Sequence, residues 1–243
     1  MSVLLVGEGR EYLRERGETL ETDLGVLEVP EDAEPGDTLE THLGTAFEVR
    51  ALRGPDLFEH FERTGAPMMP RDVGLIVGHT GIAGGDRILD VGTGTGVLAG
   101  YVGRMDASVV TYEQDADFAE VARENMALAG VSEAVDVRTG DATEHLDELR
   151  EDAPFDVLTL DTADAPDLVE HAPNLLADGG FLAVYSPFVE SSKEVVETAR
   201  EVGLSEIDTF ETIQREMDFD DRGSRPSTAG VGHTGYLTFA RLV

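Results

Sequence analysis

From residue 87 onward, short apolar runs alternate with segments whose apolar residues recur at helical spacing. The runs predict buried parallel strands, and the helical spacing predicts the helices that connect them. Repeated strand–helix units are typical of a doubly wound, Rossmann-like α/β sheet. The predicted strands cover residues 88–91, 108–113, 135–138, 155–161 and 181–187, and the predicted helices cover 118–128, 166–177 and 190–202.

The two ends of the chain follow a different pattern. Residues 1–62 contain short alternating runs separated by Gly, Glu and Asp, which predict a small β domain of about five strands. A helix is predicted to begin within 58–61, and Pro70 favours the first turn of a second helix. The last segments, SEIDTFETIQREMDF and HTGYLTFARLV, predict two long strands joined by a loop. The predicted division is an N-terminal β domain, residues 1–62, and an α/β domain, residues 63–243.

A glycine-rich turn follows the first strand of the α/β domain. The apolar run RILDV breaks into Gly92, Gly94 and Gly96, after which apolar residues recur at helical spacing. A strand that turns through glycine into a helix directs backbone N–H groups and a positive helix end at the space above it. The turn therefore predicts a nucleotide-like ligand, and the alternative is a glycine turn without a ligand.

The spacing of the turn narrows the choice of nucleotide. A dinucleotide site needs G-x-G-x-x-G, but Val97 occupies the position of the last glycine, and no Lys follows for a triphosphate. Glu113 ends the next strand about 20 residues after Gly92, where a carboxylate can bind two ribose hydroxyls. G-x-G-x-G with such an acid is the pattern of S-adenosylmethionine (SAM) methyltransferases.

Four features stand at the carboxyl ends of successive predicted strands, namely Gly92, Glu113, Asp141 and Asp161. Ligands of open α/β sheets bind beyond these ends, so we expect the four to meet in one crevice. Asp141 is placed to accept a hydrogen bond from the adenine amino group of SAM. The alternative for any one Asp is a helix cap or a turn.

The closing segment SRPSTAGVGHTGYLTFARLV resembles that of the tRNA adenine-N1 methyltransferases that modify the T-loop, the TrmI family. The segments TDLGVLEV, MPRDVGLIV and VTYEQDADFAEVARENM are similar to that family as well. The resemblance implies a class I SAM-dependent methyltransferase with a small N-terminal β domain. It also implies a homotetramer that methylates adenine N1 at tRNA position 57, 58 or both.

Site residues follow from the resemblance position by position. The implied catalytic carboxylate is Asp161, which also stands at the cofactor. Two departures from the family pattern concern the target base: the sequence Asp-Thr-Ala-Asp at 161–164, and Met69, where relatives often have Tyr or His. The implied cofactor contacts are Gly92, Gly94, Thr95, Gly96, Val97, Leu98, Glu113, Phe118 and Asp141.

The charge balance indicates a salt-rich cell interior and says little about a binding partner. The chain has 18 basic and 50 acidic residues, a formal net charge of −32, and Lys193 is its single lysine. Concentrated salt screens such self-repulsion, so we expect a halophilic protein. The resemblance to the TrmI family implies an archaeal one. Arginines keep their forked geometry in salt, and the candidates for tRNA phosphates are Arg215, Arg222, Arg225 and Arg241.

Several classes of protein are disfavoured by composition. The chain has no Cys, its histidines lack paired-ligand spacing, and no apolar segment approaches about 20 residues. We therefore expect a cytoplasmic protein without a metal or a membrane span. The alternatives to a tRNA methyltransferase are a SAM methyltransferase acting on a protein carboxylate or small molecule, and a non-catalytic tRNA-binding partner subunit.

Overall fold

The computed structural model describes residues 2–221, 223–230 and 232–243. Its largest sheet has seven strands in the order β12-β15-β11-β10-β7-β8-β9. The bounds of these strands are β7 Arg87–Val91, β8 Ser108–Glu113, β9 Val135–Thr139, β10 Phe155–Leu160, β11 Leu176–Ser186, β12 Ser205–Glu211 and β15 Tyr236–Arg241. The seven α-helices are α1 Gly54–His60, α2 Pro70–Thr80, α3 Val97–Gly103, α4 Ala116–Ala129, α5 Leu146–Asp152, α6 Ala165–Leu175 and α7 Val189–Glu201.

The sheet combines a parallel centre with an antiparallel edge. Strands β7, β8, β9, β10 and β11 run parallel, whereas β15 runs antiparallel to both β11 and β12. The chain leaves β7 for β8 and β9 and then returns to β10 on the other side of β7. This reversal of strand order opens a crevice at the carboxyl ends of β7 and β10. The predicted doubly wound sheet is confirmed.

Both faces of the sheet are covered by helices. Ile88 of β7 belongs to a hydrophobic cluster with residues of α2, α3 and α4. Its neighbour Leu89 belongs to a second cluster with residues of α5, α6 and α7. Adjacent strand residues point to opposite faces, so a continuous apolar run is the pattern expected for a strand covered on both sides.

The N-terminal segment has a hydrophobic cluster of its own. Strands β1 Ser2–Gly7, β2 Arg10–Glu15, β5 Thr38–Glu40 and β6 Ala46–Ala51 form a four-stranded sheet, and β3 Thr19–Thr22 pairs with β4 Gly25–Glu28. Leu5, Leu20 and Phe47 lie in its cluster and are fully buried. Helix α1 packs against α3, since Leu57 and Phe61 belong to the cluster of the large sheet. The boundary at residue 62 remains a prediction.

The register between β7 and β10 brings two loops into direct contact. Val91 pairs with Leu160, and the next amide, Asp161 N–H, donates to Val91 O at 2.8 Å. Gly92 has φ +98°, and a Cβ at this position would lie 2.2 Å from Asp161 O. Only glycine has both the left-handed backbone and the space required here.

Some predicted boundaries were wrong. The helix predicted to continue to 177 ends at Leu175, and β11 already begins at Leu176 and includes the glycine turn. This turn pairs with the residue that follows β15, because Gly179 N–H donates to Leu242 O at 2.9 Å and Leu242 N–H donates to Gly180 O at 3.0 Å. Such pairing with a distant strand does not show in local propensity.

Other differences concern short elements. Helix α1 spans Gly54–His60, although a helix was predicted to begin within 58–61. The N-terminal region has six strands, one more than the predicted number of about five. The 3-10 helix Ala142–His145 and helix α5 were not predicted. The first long C-terminal strand stops at Glu211, and a hairpin of β13 Met217–Asp220 and β14 Gly223–Pro226 follows it.

Across residues 2–221, 223–230 and 232–243, no helix has both the length and the apolar character needed to cross a membrane.

Replacing Gly92 with Ala should reduce the free energy of unfolding by about 2–4 kcal/mol, because left-handed strain adds to a clash with the backbone of Asp161. The matched control is Gly94→Ala, since Gly94 has φ +53° but the nearest atom to an added Cβ is 4.0 Å away. We expect a loss of about 1 kcal/mol for the control. Urea unfolding followed by circular dichroism measures both, and equal losses would contradict the close approach.

Candidate active site

Every residue predicted to bind a cofactor lines one of two adjoining cavities at the carboxyl ends of the parallel strands. The larger cavity, called here the loop cavity, has a volume of about 320 Å³. The smaller one, of about 40 Å³, lies against the start of α3. The loop cavity is lined by Gly92, Gly94, Thr95, Glu113, Phe118, Asp141 and Asp161, and the smaller cavity by Gly96, Val97 and Leu98.

The conformation of the glycine loop is fixed by Glu113. Gly94 N–H donates to Oε2 of Glu113 at 2.8 Å, and Asp115 N–H donates to Oε1 at 3.1 Å. Glu113 is 7% exposed, so its carboxylate is held in one orientation at the end of β8. Each oxygen retains a lone pair beyond the bond it accepts, which is the capacity that ribose hydroxyls require.

Asn125 ties the loop to two other segments, a role that the sequence analysis missed. Its Nδ2 donates to Thr95 O at 2.9 Å and to Glu62 O at 3.0 Å, and its Oδ1 accepts from Glu62 N–H at 3.1 Å. Asn125 is fully buried on α4. The available signal was an amide on the apolar face of a helix, because a buried amide must be hydrogen-bonded.

Asp90 is a second residue that the sequence analysis missed. It lies in the middle of the run RILDV, and its carboxyl accepts from Thr159 Oγ1 at 2.6 Å and from Thr111 Oγ1 at 2.7 Å. Burial raises the pKa of Asp90 to about 6, against the lowering effect of both threonines. The signal was a single acid inside an apolar strand, since acids are rarely buried unless they are paired or belong to a functional site.

Asp161 stands where three cavities meet. It lines the loop cavity, the smaller cavity and a third one of about 280 Å³, called here the acceptor cavity. Burial, together with the nearby carboxylates of Asp90 and Glu113, raises the pKa of Asp161 to about 7. Asp164, its neighbour in the Asp-Thr-Ala-Asp sequence, precedes α6 and lines the loop cavity.

The acceptor cavity is walled largely by the end of β11 and the start of α7. Tyr185, Pro187 and Phe188 line it together with Asp161, and Phe188 is 64% exposed. Burial raises the pKa of Tyr185, and the charges of Asp161 and Asp72 raise it as well. Sequence reasoning missed Tyr185, although an aromatic residue near the carboxyl end of a parallel strand was a usable signal.

The structure gives a more specific account of four residues that were predicted to contact the cofactor. The side chains of Val97 and Leu98 are buried in the core, at 2% and 6% exposure, so a ligand would meet only their backbone. Asp141 caps the 3-10 helix, since its Oδ1 accepts from Thr143 N–H at 2.9 Å and Thr143 Oγ1 at 2.7 Å. Phe118 is 39% exposed at the loop cavity.

Met69 and the described candidates Arg215, Arg225 and Arg241 line none of the three cavities that Asp161 lines. Met69 lines a separate cavity. Arg225 is within 3.9 Å of both Asp218 and Asp220, and Arg241 is 3.6 Å from Glu206. Arg222 lies outside the described residues. Across the described part of the chain, no group of three or more His, Asp or Glu side chains has the geometry to hold a metal ion.

The loop cavity fits SAM by its chemistry. An added Cβ at Gly94 would have no atom closer than 4.0 Å, so the backbone there borders open space. Glu113 and Asp161 supply negative charge to a cofactor with a cationic sulfonium, and Glu113 is also placed for a ribose. Phe118 offers an apolar surface to a base. The assignment of the individual contacts remains a prediction.

Comparison with known proteins gives matches over the whole chain and over its centre. A family model described as tRNA methyltransferase complex GCD14 subunit matches residues 61–223. The tRNA (adenine(57)-N(1)/adenine(58)-N(1))-methyltransferase TrmI of Methanocaldococcus jannaschii is 33% identical over 98% of this chain and 94% of its own length. A protein-L-isoaspartate O-methyltransferase of Methanoculleus marisnigri is 35% identical, but over 46% of this chain and 49% of its own.

Among solved structures, a SAM-dependent O-methyltransferase of Thermotoga maritima superposes with a TM-score of 0.80 and 27% identity, covering all of this chain and 92% of that one. The match to TrmI includes the N-terminal β strands, whereas the match to the isoaspartate enzyme spans less than half of the chain. The chain therefore belongs to the GCD14/TrmI family of SAM-dependent tRNA (adenine-N1)-methyltransferases.

Proposed function

We propose that this protein transfers the methyl group of SAM to N1 of an adenine in the T-loop of tRNA, at position 57, 58 or both. The observation that carries the proposal is the position of Asp161. One carboxyl group borders the cavity that fits the cofactor and the acceptor cavity. The M. jannaschii relative is named for both positions, which supports the choice of sites.

SAM, when bound, supplies an electrophilic methyl group on a sulfonium. Adenine N1 is a weak nucleophile that needs no strong base, so the protein contributes mainly position and charge. The carboxylate of Asp161 accepts a hydrogen bond from the exocyclic amine of adenine and thereby orients the ring. Its negative charge also stabilises the positive charge that develops on the ring in the transition state.

The acceptor cavity provides surfaces for a base that has left its stack. N1 lies on the Watson–Crick edge, so the target adenosine must turn out of the tRNA fold before reaction. Tyr185 and Phe188 present aromatic rings at this cavity, and stacking on such rings holds flipped bases in nucleic-acid enzymes. Met69 is not needed there, because it lines another cavity.

The two alternative functions each leave a structural feature of this protein without a role. A SAM methyltransferase acting on a protein carboxylate or a small molecule needs the glycine loop and Glu113 but gives no role to the N-terminal β strands. A non-catalytic partner subunit has no need of an intact loop, yet Gly92, Gly94 and Gly96 all have positive φ and Glu113 fixes the turn.

We propose further that the protein is a homotetramer from a halophilic archaeon and acts in the cytoplasm. The net charge of −32 with a single lysine, Lys193, supports a salt-rich interior. The exposed Phe219 (78%) and Met217 (48%) on the β13–β14 hairpin support burial against another subunit.

Replacing Glu113 with Gln should weaken SAM binding at least tenfold, because the ribose loses a charged acceptor and the amide cannot accept at both positions. Isothermal titration calorimetry measures the affinity. The control is Glu120→Gln on α4, an exposed glutamate paired with Arg123, for which we expect unchanged affinity. Unchanged binding by the Glu113 variant would remove the assignment of the ribose contact.

Replacing Asp161 with Asn should raise the activation free energy of methyl transfer by about 2–4 kcal/mol and so lower kcat, because a transition-state charge contact is lost. The affinity for tRNA should be retained. Methylation of tRNA transcript with labelled SAM gives kcat, and filter binding gives affinity. Asp164→Asn is the control, with near-normal turnover expected. If the Asp164 variant were inactive and the Asp161 variant active, the catalytic carboxylate would be assigned to the wrong residue.

The pH dependence of the reaction should follow Asp161. Its pKa is raised to about 7, so the carboxyl is protonated below that pH and ionised above it. Because the ionised form stabilises the developing positive charge, kcat/KM should rise as pH increases through about 7 and then level off. The Asp161→Asn enzyme should show no such rise, and an identical profile in both enzymes would exclude this carboxyl as the titrating group.

Salt should control assembly. Lowering the salt concentration lengthens the range of repulsion among the 50 acidic residues. Light scattering across a KCl series should therefore detect a tetramer at high salt and smaller or unfolded species at low salt. A tetramer that is indifferent to salt would contradict the halophilic interpretation.

A further inference from the structure

A fourth cavity, of about 420 Å³, lies between the start of α2 and the C-terminal segments that flank the β13–β14 hairpin. It is called here the arginine cavity, because Arg71 and Arg215 both line it. Among the described lining residues, two arginines face a single acid, Glu216, in a chain with a net charge of −32. Asp72, which is not part of the lining, forms an ion pair with Arg71. Among the described residues, no arginine lines any of the three cavities that Asp161 lines.

Arg71 is almost completely buried, with 8% of its side chain exposed. Its Nη2 donates to Thr234 Oγ1, and its Nη1 donates a long bond of 3.4 Å to Gly232 O. Nε lies 3.5 Å from Asp72 Oδ1 but donates no hydrogen bond to any described atom. A buried guanidinium N–H without a hydrogen-bond acceptor is costly, but Nε is enclosed by protein and ion-paired with Asp72. A ligand in the cavity would therefore meet another part of the Arg71 side chain.

Arg215 differs from the other described arginines near the C-terminus. It is exposed and forms no ion pair with any residue that the structure describes, whereas Arg225 and Arg241 both have carboxylate neighbours. The lining therefore contains one exposed arginine without an ion pair and one buried arginine, and a guanidinium can donate two hydrogen bonds to phosphate oxygens. Gln214 and Thr228 add amide and hydroxyl groups to the same lining.

The arginine cavity is connected to the acceptor cavity through a short chain of contacts. Thr234 Oγ1, which accepts from Arg71, donates to Asp72 Oδ2 at 3.3 Å. Burial raises the pKa of Tyr185, and Thr234 acts to lower it. The Tyr185 hydroxyl lies directly over Gly235, since an added Cβ there would be 2.7 Å from it. Tyr185 lines the acceptor cavity, so the two cavities lie on either side of this contact.

We propose that the arginine cavity binds a phosphodiester group of the tRNA strand close to the nucleotide held in the acceptor cavity. This inference rests on the proposed function. A base that turns into the acceptor cavity brings its own backbone along, and the nearest phosphates must then lie against the protein beside it. Two arginines at this place compensate locally for a surface that otherwise repels nucleic acid.

The test uses the full-length protein, a tRNA transcript and two variants of the cavity. Arg215→Gln should weaken tRNA binding about fivefold to tenfold and lower the slope of log K against log salt by about 1, the signature of one lost phosphate contact. Arg71→Lys keeps the charge but loses the fork, and we expect a similar loss. Neither variant should change SAM affinity, which calorimetry checks together with thermal unfolding.

The control variant is Arg150→Gln, which removes one positive charge from α5, where Arg150 pairs with Asp147 and lines none of these cavities. Its tRNA affinity should remain that of the parent protein. Equal losses for Arg150→Gln and Arg215→Gln would overturn the proposal, because general charge would then explain both. An unchanged salt slope for Arg215→Gln would overturn it as well.

The outcome separates this inference from the proposed function. If the parent protein methylates tRNA and Arg215→Gln binds tRNA as tightly as the parent, only the phosphodiester site is refuted. If the parent protein neither binds nor methylates tRNA, the proposed function fails first. A loss of turnover at saturating tRNA, with the affinity of Arg215→Gln unchanged, would also overturn the site, because a phosphate contact of this kind acts on binding.

Discussion

The close contact between the ends of β7 and β10 determines the geometry of the whole site. Parallel pairing of Val91 with Leu160 places the backbone of Asp161 against Gly92, with no space for a side chain between them. The glycine loop on one side and the acid on the other are therefore fixed relative to each other by the sheet. A cofactor above the loop and a base beside the acid are then held at a constant separation by rigid strands.

Three acidic groups surround this contact. Burying them close together costs electrostatic free energy, which a bound cation would lower. Asp90 is held below the loop by two threonines, Glu113 by two backbone N–H groups, and Asp161 has a pKa raised to about 7. Carboxylates so close together disfavour one another's ionised form. A cationic methyl donor and an adenine that becomes cationic both relieve this repulsion, so the same electrostatics favours binding and turnover.

The sequence contained most of the sheet and the cofactor loop because both follow from local rules. Apolar runs in the sequence predicted β7, β8 and β10, and closely spaced glycines predicted the turn. The structure gives these glycines positive φ. The pairing of β11 with the C-terminal strand and the division of the last strands into a hairpin depended on contacts far along the chain. Local propensity carries no information about such contacts.

The same distinction applies to the candidate site. Glu113 and Asp161 were predictable because each ends a strand, and strand ends meet at one edge. Tyr185 and Asn125 left weaker signals, an aromatic residue near a strand end and an amide on an apolar helix face, because both residue types have ordinary structural roles in most proteins. Arg71 could not be distinguished from other arginines, because its importance comes from a cavity formed with residues more than a hundred positions away.

The most direct test of the account is to map the methyl group on the product. Unmodified tRNA transcript would be incubated with the protein and labelled SAM in high salt. One portion of the product would be digested to nucleosides to identify the methylated base, and an undigested portion would be sequenced through the T-loop. The account predicts 1-methyladenosine at position 57, 58 or both, and nowhere else in the tRNA. Label at the exocyclic nitrogen of adenine, at another nucleotide or only on protein carboxyl groups would contradict it.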